Sequence, residues 1–145
     1  MDEPSAPVPG GQPGSTEPSL GKTKVLGLDY KIAGLLAYLP LCAINLVCSI
    51  IWLLTEPKEN RFLRFHAMQS VLLAAVFIGI GVVVWAVTMV LAFIPFAGFL
   101  VAIVNIAWYV AVIVYIWKCV EGMLAAYRGQ MKKIEYVGDV AERTV

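Results

Sequence analysis

The side chains best suited to chemistry lie in the stretch Asn60–Ser70. His66 is the only histidine of the chain, and Gln69 follows three residues later, so a helix would place both on one face. An imidazole titrates near neutral pH and could relay protons or bind a headgroup or a partner. In the simpler, structural interpretation His66 hydrogen-bonds the preceding connector or the first apolar segment.

Two arginines and a phenylalanine share this stretch with His66. Arg61 and Arg64 could reach lipid phosphates while Phe65 turns toward hydrocarbon. We therefore interpret the arginines as anchors that fix membrane topology, in preference to a substrate-binding pair. The candidate motif is Arg61, Arg64, Phe65, His66 and Gln69.

The chain lacks the residue sets that catalysis and metal binding require. No Asp or Glu occurs between Glu59 and Glu121, which leaves His66 without an acid partner nearby. Cys42, Cys48 and Cys119 do not have zinc-ligand spacing, and no Gly-rich phosphate loop or HExxH is present. We predict no enzyme, no metal and no cofactor. A net charge of +1 gives no reason to expect a nucleic-acid partner.

Three apolar segments surround and position this stretch. The hydrophobic fraction is 60% and the charged fraction 14%, against roughly 45–50% and about 25% in soluble domains. Segment one is Lys31–Leu54, segment two Arg61–Phe93, and segment three Phe99–Trp117 with a continuation toward Tyr127. Segment one alone would extend about 34 Å from Ile32, enough for a hydrocarbon core of about 30 Å. We predict an all-α integral membrane protein with three transmembrane helices. The alternative is two spans plus a re-entrant hairpin, formed by segment three.

Several local signals mark the limits of these segments. Asp29 and Asn60 are predicted helix caps, and Gly129 is a predicted stop. Pro40 is expected to kink segment one without ending it.

The predicted domain organisation has three parts. Residues 1–30 form a Pro- and Gly-rich tail that is expected to be disordered, residues 31–129 form the transmembrane domain, and residues 130–145 form a polar C-terminal tail. Asn45 and Asn105 lie near the middle of the membrane, where each is expected to bond another helix.

The basic residues predict an orientation in the cell membrane. With three spans, the connector Thr55–His66 and the C-terminus share one side, which carries eight Lys and Arg residues, and the N-terminus lies on the other side with three. The excess predicts a cytoplasmic C-terminus and an N-terminus outside.

The element Arg64-Phe-His-Ala-Met-Gln69, preceded by Ile51-Trp-Leu53, resembles a family of membrane domains. That family groups the Tic translocon import subunit of the chloroplast inner envelope with small bacterial relatives, and the resemblance covers roughly Lys31 to Gly129. It implies a transmembrane domain, in plastids a part of a preprotein import channel. For a bacterial relative it implies an inner-membrane protein of unassigned activity.

Two functions stay open at this point. The first is a structural, assembly or protein-translocation protein whose partners are the lipid bilayer, further copies of itself or other membrane proteins. The second is a small oligomeric pore or carrier, in which Asn45, Asn105 and His66 would line a path. A lipid-modifying enzyme with His66 as base ranks third, because it lacks an acid in the same layer.

Overall fold

The computed structural model describes residues 21–40, 42–134 and 137–144, and its regular elements are helices. They are α1 (Tyr30–Ala37), α2 (Cys42–Thr55), α3 (Arg61–Ala92), α4 (Gly98–Tyr127) and α5 (Val137–Thr144). The extended pairing in the described ranges is a single isolated bridge between Lys22 and Asp29. The predicted all-α class is confirmed.

Helices α3 and α4 form a long antiparallel hairpin. Their 32 and 30 residues correspond to about 48 and 45 Å, more than the roughly 30 Å of a hydrocarbon core. Both are apolar enough to cross a membrane. Because α4 is one continuous helix of spanning length, segment three is not a re-entrant hairpin. The two-span count of that alternative agrees with the two helices of spanning length.

Segment one does not form a single helix. It is divided into α1, which ends at Ala37, and α2, which begins at Cys42. Pro40 lies between them, and a proline lacks the N–H group that a continuing helix needs and restricts the residue before it. The expected kink is therefore a break. The 14 residues of α2 reach about 21 Å, less than a hydrocarbon core, so neither piece has the length of a span.

The two ends of segment one lie at the same end of the molecule. The backbone N–H of Lys24, before α1, donates to Glu56 Oε1, after α2, at 2.8 Å. Since the chain returns to where it started, α1 and α2 form a short helical hairpin. The predicted arrangement, with the N-terminal side opposite the connector, is wrong.

The neighbours of the short hairpin show the direction of each half. Helix α1 runs parallel to α3, because Gly34 lies beside His66 and the Ala37 carbonyl accepts from Ser70 Oγ. Helix α2 runs back, since Leu53 near its end is bonded to Arg64 near the start of α3. The fold therefore combines one long and one short helical hairpin.

This topology gathers the charges at one end of the molecule. The uncharged stretch 71–117 includes most of the long hairpin and its turn at 93–97. All eleven Lys and Arg residues, including the three lysines before or within α1, lie toward the other end. All the Lys and Arg residues therefore lie at one end, whereas the three-span prediction placed eight of them on one side of the membrane and three on the other.

The predicted caps are present. The Asp29 side chain accepts from Lys31 N, the Asn60 side chain accepts from Leu63 N, and Gly129 has a φ of 70° just after α4. Residues 21–29, which the prediction included in the disordered tail, form a loop in which Thr23 N donates to Leu28 O at 2.7 Å. Residues 1–20 of that tail lie outside the described residues.

The two-hairpin topology predicts which cysteines label from the same side. In a cysteine-free background, Leu26→Cys and Arg143→Cys should react with an impermeant maleimide from one face of a sealed vesicle. Phe96→Cys, in the exposed turn, should react only from the other face. Labelling of positions 26 and 143 from opposite faces would restore the three-span arrangement.

Candidate functional site

His66 joins three parts of the chain at the start of α3. Its ring is fully buried, with Nδ1 3.3 Å from Tyr38 Oη and Nε2 3.0 Å from the Gln130 carbonyl oxygen. A neutral imidazole has one donor and one acceptor, so the network assigns the proton to Nε2, which donates to Gln130. Nδ1 then accepts from the Tyr38 hydroxyl. His66 therefore connects α1, α3 and the segment after α4.

Aromatic rings enclose the imidazole. Phe62, Phe65 and Tyr38 contact it edge-on, with ring centroids 4.8, 5.4 and 5.7 Å away. Phe65 is itself buried, so its predicted orientation toward hydrocarbon is wrong. The bond to Tyr38 ties His66 to segment one, and these contacts support the structural interpretation of His66.

The residues that follow His66 extend the same network. Gln69 is fully buried, and its Nε2 donates to the Lys132 carbonyl at 3.4 Å. The next side chain, Ser70, donates to the Ala37 carbonyl. Residues 130–134 and 137–144, here called the C-terminal strap, therefore lie over His66 and Gln69. Gly138 allows this close approach, since a Cβ there would lie 2.7 Å from Lys133 Cα and 3.0 Å from Gln69 Oε1.

Ion pairs on the strap are exposed. Lys133 Nζ lies 2.7 Å from Glu142 and 3.0 Å from Asp139, and hydrogen bonds to these carboxylates raise the pKa of Lys133. Exposed pairs of this kind contribute little to stability. The partly buried bonds from His66 and Gln69, together with the buried side chains of Ile134 and Ala141, therefore hold the strap.

The two arginines have different environments. Arg64 Nη1 donates to the carbonyls of Leu53 at 2.8 Å and Glu56 at 3.2 Å, where the end of α2 leaves carbonyls without helical partners. Arg64 thus closes the short hairpin against α3 and does not point toward lipid phosphates as predicted. Arg61 is exposed in the first turn of α3, a position that suits a membrane anchor.

The second feature of the site is a polar seam formed by three side chains of α2, of which only Asn45 was identified from the sequence. Asn45, Ser49 and Trp52, at spacings of four and three on α2, are each at most 1% exposed. Asn45 Nδ2 donates to Tyr115 Oη of α4 at 3.4 Å, the expected bond to another helix. Asn45 Oδ1, Ser49 Oγ and Trp52 Nε1 have no hydrogen-bond partner among the described residues.

Helix α2 is therefore inverted relative to a helix of a soluble protein. Its polar side chains face inward, and its outer face is exposed and aliphatic: Ile44, Val47, Ile50, Ile51 and Leu54. Such a helix suits a lipid environment. The spacing of the three seam residues places them on one helix face and can be seen in the sequence. The prediction of segment one as a single span gave no reason to expect that this face is buried.

Asn105 lies apart from this network. Its Nδ2 donates to the Val101 carbonyl of its own helix at 2.8 Å, so the predicted interhelical bond is wrong. It is about 15 Å along α4 from Tyr115, ten residues on. The structure thus does not bring Asn45, Asn105 and His66 to one path. Within the described ranges, no three His, Cys, Asp or Glu side chains are grouped to hold a metal.

Two spanning helices with an exposed apolar surface define an integral membrane protein of the α-helical class. The family described as chloroplast import apparatus Tic20-like matches residues 15–141, and the chain belongs to this family. The resemblance seen in the sequence predicted this relationship.

Three similar proteins are archaeal, whereas the sequence analysis predicted bacterial relatives. A UPF0132 membrane protein of Methanocaldococcus jannaschii is 37% identical over 124 residues, which cover 86% of this chain and 94% of the relative. A second protein of that name from the same organism is 34% identical over 125 residues, covering 86% and 76%. One from Archaeoglobus fulgidus is 35% identical over 115 residues, covering 79% and 93%. No solved structure matches the chain.

Proposed function

We propose that this protein is a non-enzymatic membrane subunit that assists other proteins in entering or crossing the cell membrane. The observation that carries the proposal is the polar seam between α2 and the long hairpin. A buried polar atom without a partner costs about 1–3 kcal/mol. Asn45 Oδ1, Ser49 Oγ and Trp52 Nε1 therefore weaken the packing of α2 and lower the cost of moving it outward.

The chain around α2 permits such a movement. Helix α2 is joined to α1 by the break near Pro40 and to α3 by the connector 56–60. Outward displacement of α2 would leave a groove lined by polar side chains and open toward the charged end. Polar groups are costly in hydrocarbon when they lack partners. A groove with unused donors and acceptors would lower that cost for a polar segment of an entering protein.

Charge and family support the same assignment. The end with all eleven Lys and Arg residues would face the cytoplasm by the positive-inside rule, so the groove would open where new proteins arrive. The matching family is described as chloroplast import apparatus. The archaeal relatives are named only as membrane proteins. The pore alternative receives no comparable support, because its three proposed lining residues are separated.

Water access to the seam is the first test. In a cysteine-free background, Ser49→Cys should react with a small thiol reagent at least about tenfold faster than Val47→Cys, since thiolate forms only where water reaches. Val47 is the matched control, because it lies on the outer face of the same helix. Equal, slow reaction at both positions would show that the seam is dry and closed.

The second test concerns the function itself. A photocrosslinker at position 49 should capture membrane proteins during their synthesis, and one at position 47 should capture mainly lipid. If position 49 is accessible to water but forms no protein adducts, the proposed function is refuted, while the conclusion that water reaches the seam still holds. Adducts at 47 and 49 in equal yield would refute the groove.

A further inference from the structure

We propose that the charged end of α4 binds an anionic phospholipid, with the phosphate held by Arg128 and Lys132. A cavity of about 270 Å³ opens there, below the uncharged part of the helix. Its lining combines two cations, one carboxylate and one carboxamide with a small apolar wall: Glu121, Leu124, Ala125, Arg128, Gln130 and Lys132. This site is separate from the polar seam and does not depend on the proposed function.

The charges around the cavity favour an anion. Among the described residues that line the cavity, Glu121 is the only carboxylate. Lys132 Nζ and Lys118 Nζ lie 2.5 and 3.5 Å from it. Arg128 lines the same cavity, so three described cations and one described carboxylate lie at this end of α4. The local excess of two positive charges makes a phosphate the matching ligand, and arginine binds phosphate through paired N–H groups.

Apolar surface continues from this cavity into the hydrocarbon zone. A smaller cavity of about 160 Å³ shares Glu121 and Leu124 and adds Trp117 and Val120. Higher along the long hairpin, a groove of about 240 Å³ runs between α3 and α4 and ends at Lys118. Its other lining residues are apolar or aromatic: Leu73, Val76, Phe77, Ile80, Ala111, Val114 and Tyr115.

One face of α4 connects the groove to the cation cluster. Positions 111, 114, 118, 121, 125 and 128 recur every three or four residues and therefore lie in one stripe. The stripe changes from apolar to charged at Lys118, where the uncharged segment ends. A ligand with an apolar chain and an anionic headgroup can contact the apolar part of the stripe with its chain and the charged part with its headgroup. That combination, at the boundary of the membrane, identifies a phospholipid and not a soluble phosphate.

Native mass spectrometry of the purified full chain in detergent tests this inference. Phosphatidylglycerol should be retained several-fold more than phosphatidylcholine with the same acyl chains. Arg128→Gln with Lys132→Gln should abolish the preference. Lys22→Gln with Lys24→Gln removes the same charge from the same end and should leave the preference unchanged. If both double variants lose the preference for phosphatidylglycerol equally, the preference arises from the general positive charge of this end, and the proposed site is refuted.

Two further variants separate binding from misfolding. Glu121→Gln removes the competing carboxylate and should increase phosphatidylglycerol retention, an outcome that a damaged fold would not produce. Arg128→Lys with Lys132→Arg keeps the charge and should keep the preference. Failure of Glu121→Gln to raise retention, or full displacement of the lipid by millimolar glycerol phosphate, would contradict the proposal.

Discussion

Gly122→Val should strongly destabilise the protein. A Cβ at Gly122 would lie 2.6, 2.7 and 2.8 Å from three ring atoms of Tyr38. The ring is fully buried, and its hydroxyl is bonded to His66, so it cannot move aside without breaking that bond. Overpacking of a core typically costs 1–3 kcal/mol, and we expect the upper part of this range because the contact is with a fixed ring.

The measurement is the thermal midpoint of the protein in detergent, followed by size-exclusion chromatography after heating. We expect a decrease of roughly 5 °C or more for Gly122→Val. Gly79→Val is the matched control, because it makes the same substitution in a membrane helix where a Cβ would meet nothing within 4 Å. Equal midpoints for the two variants would show that α1 does not pack against α4 as described.

His66→Ala should release the C-terminal strap. The substitution removes the imidazole that bonds the buried Tyr38 hydroxyl and the partly buried Gln130 carbonyl, and losing the partner of a buried polar group costs about 1–3 kcal/mol. The strap keeps the weak Gln69 bond, the ion pair between Lys132 and Glu121, and the buried side chains of Ile134 and Ala141. Its local opening should therefore become at least about tenfold more frequent, since 1.4 kcal/mol corresponds to a factor of ten.

Limited trypsin digestion measures this opening. Cleavage after Lys132 or Lys133 should be at least about tenfold faster in His66→Ala than in the unaltered chain. Arg61→Gln is the control, because Arg61 is exposed near the start of α3. This substitution should leave the rate of cleavage at the strap unchanged. An unchanged rate in His66→Ala would mean that the strap is held by contacts other than the imidazole.

His66 shows how far the candidate site was accessible from sequence. Its place in an amphipathic turn, and its sharing of a face with Gln69, followed from spacing alone. Its partners did not, because Tyr38 and Gln130 are 28 and 64 residues away in the chain. Arg64 is a similar case: its charge predicted a membrane anchor, but the open carbonyls at the end of α2 bind it instead.

The sequence by itself determined the helical membrane class, the two spanning helices, and the caps at Asp29 and Asn60. These depend on apolar length and local hydrogen bonding, which are readable residue by residue. Only the tertiary structure decided that segment one turns back at Pro40 and buries a polar face. Hydropathy measures how apolar a segment is and contains no information on the direction in which it runs. The direction of segment one follows from a tertiary contact, the hydrogen bond between Lys24 and Glu56.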